Sequence, residues 1–381
     1  MTPARAEIVP PQPYAILPTM AEDSPATPPR VVTRPRSASI LINNFNYGRF
    51  VGAAIDSALA QTHAAQVIVV DDGSTDDSRQ IIAGYEPRVQ AIYTANGGQG
   101  AAMNTAFAEA TGDVVLFLDA DDMLAANAIE TVLQAWQAGS VLLQYPLYIV
   151  DAEGNPLGLH PDPVSTLSHG DVRGELLDTG AFGVNVTSGL AFLREALLTI
   201  MPMPAERFRN AADGYLVRAV AFSGAVQRLE APLAFYRQHT GNDSNVVVSA
   251  GGLADGFRRK IEYARNEFDV TKDFAARHGL QPRPDLGERN ADYVGYQLFL
   301  LLTDPAATRP PGTGRLALLP RYLKARWAST WPVERRLLAM TIATAAAVAP
   351  QPAATVLLKF LHDPQRRPAW WRALVRRLRG A

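Results

Sequence analysis

Apolar and polar positions along this chain fall into blocks that read as strands followed by helices. Ala38–Ile42 is an apolar run, and the polar stretch Asn43–Gly48 follows it. Phe50, Val51, Ala54, Ile55, Ala58 and Leu59 then share one face at helical spacing. Val67–Val70 is a row of four β-branched residues, the mark of a strand buried on both faces. This strand–helix–strand order makes a βαβ unit with parallel strands. The pattern continues with a helix from about Asp76 to Gly84, a short strand Val89–Tyr93 and a helix Ala101–Ala110 closed by Thr111-Gly112. A strand Val114–Leu118 and a helix Ala125–Ala138 come next. The fold class is α/β, a sheet flanked by helices.

The second half is less regular. Val141–Val150 reads as one strand and Asp151–Pro156 as a hairpin-like turn. Residues 157–190 are rich in Gly, Asp and His and read as irregular loops. A helix at Leu216–Phe222, strands at Ala225–Leu229 and Leu233–Arg237, and a polar loop through Ser244 complete an α/β domain over residues 37–250. Residues 251–381 form a helical C-terminal region. Its predicted helices are Leu253–Gly279 and Asp292–Leu302, with a Pro/Gly connector at 305–314. Leu337–Leu358 is a 22-residue uncharged stretch broken by Pro350, Gln351 and Pro352. It reads as an interfacial helix pair, a buried helical appendage or a membrane span.

Composition narrows the picture. The chain has 381 residues, with 48% hydrophobic and 19% charged, enough for a sizeable core. Residues 1–36 contain nine prolines and no signal-like apolar stretch, and read as a disordered leader. There is no cysteine, which excludes disulfides and thiolate metal sites and is compatible with the cytoplasm. The net charge of −1 is unevenly spread: Arg315–Ala381 carries +11, leaving −12 elsewhere. With Trp327, Trp331, Trp370 and Trp371 beside those cations, the tail reads as a surface for anionic membrane lipids. Nucleic acid is not a partner by this reading, because no readout module accompanies the basic residues.

Candidate chemistry sits where strands end. Asp71 and Asp72 follow Val67–Val70, and Asp119-Ala120-Asp121-Asp122 follows Val114–Leu118. Ligands of open α/β sheets bind beyond the carboxyl ends of strands. Oxygen ligands suit Mg2+ or Mn2+, which commonly bridge carboxylates to phosphates, so the two acidic ends suggest a metal–diphosphate site. The turn Asn96-Gly97-Gly98-Gln99-Gly100 lies between them and opens a helix, where backbone N–H groups cradle phosphate.

Four spaced stretches over roughly residues 38–125 resemble the glycosyltransferase family 2 catalytic domain, a GT-A fold. They are Ile40–Asn46 with Ser57–Thr62, Val69–Asp76, Asn96–Gly100 with Met103-Asn104, and Thr111–Asp122. The resemblance implies a Rossmann-like mixed sheet and an inverting, metal-dependent transferase acting on a nucleotide sugar. It maps Asn44, Phe45, Asn46 and Asp72, with Asp71 nearby, onto nucleoside binding. It maps Asp119 and Asp121 onto the ribose and the metal–diphosphate. Gly98 falls in the glycine-turn motif. Asn43-Asn44 departs from the Pro-Thr of many relatives. Asp213 matches the position of the family's catalytic acidic residue, with Ala212 where Glu is usual. His239 falls in a later active-site loop and would approach metal or diphosphate. A UDP-sugar is the expected donor, and a polysaccharide, lipid-linked glycan or other glycoconjugate the expected acceptor, at the cytoplasmic face of a membrane. A nucleotidyltransferase and a non-catalytic nucleotide-sugar-binding protein are the rival readings; product analysis and donor hydrolysis separate them.

Overall fold

The computed structural model describes residues 34–161, 166–239, 252–304, 306–307 and 314–362. The first half follows the expected order: β1 (Ala38–Asn44), α1 (Gly48–Leu59), β2 (Gln66–Asp72), α2 (Ser78–Ala83), β3 (Gln90–Thr94), α3 (Gln99–Ala108) and β4 (Val114–Asp119). These four strands are parallel, so their carboxyl ends share one edge. The register sets Asn43 level with Asp119 on one side, and Asn44 level with Asp71 on the other. Strand residues such as Ile40, Val69 and Leu116 are almost wholly buried, because helices cover both faces.

The next elements are β5 (Met123–Leu124), α4 (Ala128–Ala135), β6 (Ser140–Gln144), β7 (Leu147–Val150), β8 (Pro156–His160), α5 (Arg173–Thr179), β9 (Leu190–Leu193), α6 (Arg194–Leu197), α7 (Asp213–Val220), β10 (Ala225–Arg228) and β11 (Ala234–Arg237). The main sheet runs β10-β6-β9-β4-β1-β2-β3, with β9 antiparallel to both neighbours. A second sheet runs β5-β11-β7-β8. The mixed sheet flanked by helices is thus present, with two departures from the sequence reading. The single strand expected at Val141–Val150 is two strands in different sheets, parted at Tyr145-Pro146. Proline has no N–H for a ladder, so the chain changes sheet there. The stretch 157–190, expected to be irregular, contains β8, α5 and the first residue of β9. All four residues of β9 are buried, so it shows no alternation of polar and apolar positions.

The C-terminal helices are α8 (Gly252–Arg277), α9 (Ala291–Thr303), α10 (Arg315–Ala328), α11 (Val333–Val348) and α12 (Gln351–His362). α8 takes part in two cores. Val270, Phe274 and Ala275 belong to the main one. Leu253 and Phe257 join a second core with Leu298 and Leu302 of α9, Tyr322 of α10, Ala343 of α11 and Leu358 of α12. The uncharged stretch Leu337–Leu358 is therefore divided between α11 and α12, with a break at Ala349-Pro350. Small residues on its inner face, Ala339, Ala343, Ala346 and Ala354, allow close helix approach. Among the described residues no helix is long and apolar enough to cross a membrane. The leader through residue 33, the loop 240–244 and the basic end with Trp370 and Trp371 lie outside the described residues.

Candidate active site

The carboxyl edge of the main sheet gathers the acidic residues in two groups. The first is built on Asp71 and Asp72. Asp71 is fully buried and engaged by protein donors on both oxygens. Arg79 Nε donates at 2.9 Å and the Ser74 N–H at 3.0 Å to Oδ1, while Asn44 Nδ2 donates at 3.0 Å to Oδ2. Burial pushes its carboxyl up, but these donors outweigh burial and hold it below the usual range. Asn44 is buried as well, and Asn46 Oδ1 accepts the Thr75 N–H at 2.7 Å. Asn46 sits at φ 58°, a left-handed conformation that Asn tolerates. Of these nucleoside candidates, Asn44, Asn46 and Asp71 brace β1 against the turn after β2. The Phe45 ring stays 43% exposed, an apolar face open to a ligand.

Asp72 does something the sequence reading did not anticipate. Its carboxylate accepts the Gly97 N–H at 2.8 Å and the Gly98 N–H at 2.7 Å. The next N–H, of Gln99, donates to the Arg209 carbonyl at 2.7 Å. Three donors of the glycine turn, those of Gly97, Gly98 and Gln99, are thus taken by the protein. Gly98 has φ 88°, and a Cβ there would meet the Arg209 backbone oxygen at 2.6 Å. Its role is close approach: α3 becomes the dock for the segment leading to α7. Asn104 completes the dock with a reciprocal pair of 2.9 Å hydrogen bonds to the backbone of Met203.

The second group is the reactive corner. Gln99 accepts the Ala212 N–H on Oε1 at 3.0 Å and donates from Nε2 to Asp119 Oδ1 at 3.4 Å. One amide thus links the end of β4 to the start of α7, whose first residue is Asp213. Asn43 Nδ2 also donates to Asp119, at 3.3 Å, while its Oδ1 is buried with no hydrogen-bond partner among the described residues. Burial, and then the charges of Asp121 and Asp213, push the Asp119 carboxyl up to about 7. Burial, and then Asp121 and Asp119, raise Asp122 well above the carboxylate range. Burial raises Asp213 too, although Arg218 and Lys260 oppose it.

Asp121 Oδ2 lies 3.1 Å from His239 Nε2. The His239 ring stacks on Phe50 at 4.7 Å between centroids and meets Tyr47 edge-on at 5.8 Å. Arg237 braces the same turn: its N–H donates to Asp122 Oδ1, and its Nε to the Asp121 carbonyl, both at 2.9 Å. Among the described residues no group of three or more His, Asp or Glu side chains could hold a metal ion by itself. Asp119 and Asp121 are nevertheless two hard oxygen donors in a corner of excess negative charge. That chemistry fits Mg2+ or Mn2+, which take few carboxylates and complete their shells with water and phosphate oxygens.

The structure thus brings Asp119, Asp121, Asp213 and His239 to one edge, with Asp72 and Gly98 as scaffold. Sequence reading missed Gln99, Asn43 and Arg237 as site builders. Gln99 lay inside a recognised motif, but nothing local signals a partner 113 residues away.

A family model for glycosyl transferase family 2 matches residues 39–200. An uncharacterised glycosyltransferase of Nostoc sp. is 36% identical over 262 residues, covering 67% of this chain and 80% of the relative. Among solved structures, a TarS fragment of S. aureus in complex with UDP is 16% identical with a TM-score of 0.44, covering 87% of this chain and 93% of that one. A mannosyltransferase of Pyrobaculum calidifontis, in complex with GDP-Man and Mn2+, is 20% identical with a TM-score of 0.44, covering 89% and 88%. The family model and the relative of Nostoc sp. define a glycosyltransferase. The chain belongs to glycosyltransferase family 2.

The Asp72 contacts make a stability prediction. Asp72→Ala should lower the unfolding free energy by roughly 2–4 kcal/mol, because two enclosed donors lose a charged acceptor. Amide exchange at Gly97 and Gly98 should quicken. Urea unfolding checks the first, and a change within about 0.5 kcal/mol, ordinary for a surface site, would refute the scaffold role.

Proposed function

We propose that the chain is a metal-dependent inverting transferase. It moves a sugar from a nucleotide sugar, a UDP-sugar, to a hydroxyl of a polysaccharide, lipid-linked glycan or other glycoconjugate. The observation that carries this reading is the Gln99 bridge, which fixes the start of α7 beside the end of β4. Phe45 offers an exposed ring to the nucleoside, and Asn43 Oδ1 is a buried acceptor without a partner among the described residues. Asp119 and Asp121, with His239 adjacent, would hold the cation. When bound, a divalent cation neutralises charge that develops on the leaving diphosphate. Asp213 takes the proton of the acceptor hydroxyl. The freed oxygen attacks the anomeric carbon from the face opposite the diphosphate, and the carbon–oxygen bond to the diphosphate breaks. A carboxylate raised by burial is a stronger base than one in water, which suits this transfer.

We also propose that the C-terminal helices rest on an anionic membrane at its cytoplasmic face. Residues 314–362 carry seven Lys and Arg against one acidic residue. Trp327, Trp331, Val333 and Leu337 are exposed around the turn between α10 and α11. Apolar insertion and charge attraction act together in such docking.

Two outcomes check these proposals. Asp213→Asn should lower turnover by roughly a hundredfold or more, the scale of lost general-base catalysis, with donor affinity nearly unchanged. Steady-state kinetics with near-normal turnover would place the base elsewhere. The full chain should co-sediment with phosphatidylserine vesicles in a salt-sensitive way, and the pair Trp327→Ser with Leu337→Ser should weaken this about tenfold. Full recovery of both proteins in the soluble fraction would remove the membrane claim. Point changes are preferred to truncation at Thr313, which would uncover Leu298 and Leu302.

A further inference from the structure

Arg218 is a buried cation that the chemistry above does not use. It lies on α7, five residues after Asp213, and is 8% exposed. Its three nitrogens have separate partners. Nε donates to the Gly180 carbonyl at 3.1 Å, and Nη1 to the Gly214 carbonyl at 3.1 Å. Nη2 meets Glu267 Oε2 of α8 at 2.7 Å. A buried arginine held by a forked set of acceptors fixes geometry as well as charge.

Glu267 also lies directly against the first turn of α7. A Cβ at position 214 would fall 2.4 Å from its Oε1. Glycine is a poor helix former, yet it occupies the residue after Asp213 inside a helix. Its missing side chain is what admits the carboxylate. The charged groups around Asp213 come from three elements: Asp119 on β4, Arg218 on α7, and Glu267 with Lys260 on α8.

We infer that Glu267 is a positioning residue, through which α8 holds Arg218 and the first turn of α7 so that Asp213 faces the reactive corner. The C-terminal helical region is by this inference part of the catalytic apparatus. Without Glu267, the Arg218 charge would be left buried and unpaired beside Asp213, free to turn toward that carboxylate and spoil it as a base. The inference rests on the assignment of Asp213 as the base.

The test uses the full chain and kinetics with donor and acceptor varied separately. Glu267→Ala should lower kcat at least tenfold with donor KM within twofold of the parent. Glu267→Gln, which keeps an oxygen for Nη2, should recover most of that loss. Gly214→Ala is the more telling variant. Its methyl group should push the flexible end of Glu267 off Arg218, so kcat should fall with donor KM little changed, while the better helix former offsets part of the lost ion pair. In the Asp213→Asn background, Glu267→Ala should cause no further loss, because both act through one group. The inference is overturned if Gly214→Ala keeps full turnover, or if the two losses multiply. If Glu267→Ala does not fold, Gly214→Ala and Glu267→Gln decide. Should Asp213→Asn alone retain turnover, the base assignment fails, and that outcome is read separately from the Glu267 result.

Discussion

The constraint on which this structure turns is electrostatic: four carboxylates, Asp119, Asp121, Asp122 and Asp213, are confined to one enclosed corner. Like charges at short range in a low dielectric repel strongly, and burial adds to the penalty of ionising them. Burial first, and then repulsion from neighbouring carboxylates, raises Asp119 and Asp122, and burial raises Asp213. Such a corner persists only if the surrounding protein over-determines it. The bracing is specific: Asn43 and Gln99 on Asp119, His239 on Asp121, and the Arg237 backbone on Asp122. A divalent cation would offset part of that excess negative charge.

That bracing reaches far along the chain. Successive strand residues alternate between the two faces of the sheet, so the β1 asparagines serve different partners: Asn43 donates to Asp119 of β4 and Asn44 to Asp71 of β2. Asp72 immobilises the glycine turn, the turn admits Arg209, and Gln99 ties α3 to α7. From α7 the path continues through Arg218 and Glu267 into α8, which belongs equally to the second core. The C-terminal helices are therefore mechanically continuous with the reactive edge.

Much of this was legible in the sequence wherever the signal was local. β1, β2 and β4 announce themselves as apolar runs, and Asp71, Asp72, Asp119 and Asp121 are strand-end acids by position alone. Short elements buried on every side were not legible: β9 has four residues and no polar face, and β7 is hidden in a run whose one clue is Pro146. Chemistry that depends on distant partners was equally hidden. The glycine turn reads as a phosphate cradle, and nothing local shows that Asp72 takes the N–H groups of Gly97 and Gly98. Glu267 reads as one acid on a long amphipathic helix, and only the fold sets it against Gly214.

The most direct test offers a panel of nucleotide sugars with Mn2+ to the full chain and to Asp121→Ala, and measures nucleoside diphosphate release and product anomeric configuration. A metal-dependent inverting transferase should consume one donor, a UDP-sugar, with release of UDP and inversion at the anomeric carbon. Asp121→Ala, still folded, should release none above background. Equal release by both proteins, or a product of retained configuration, would contradict a metal-dependent inverting mechanism.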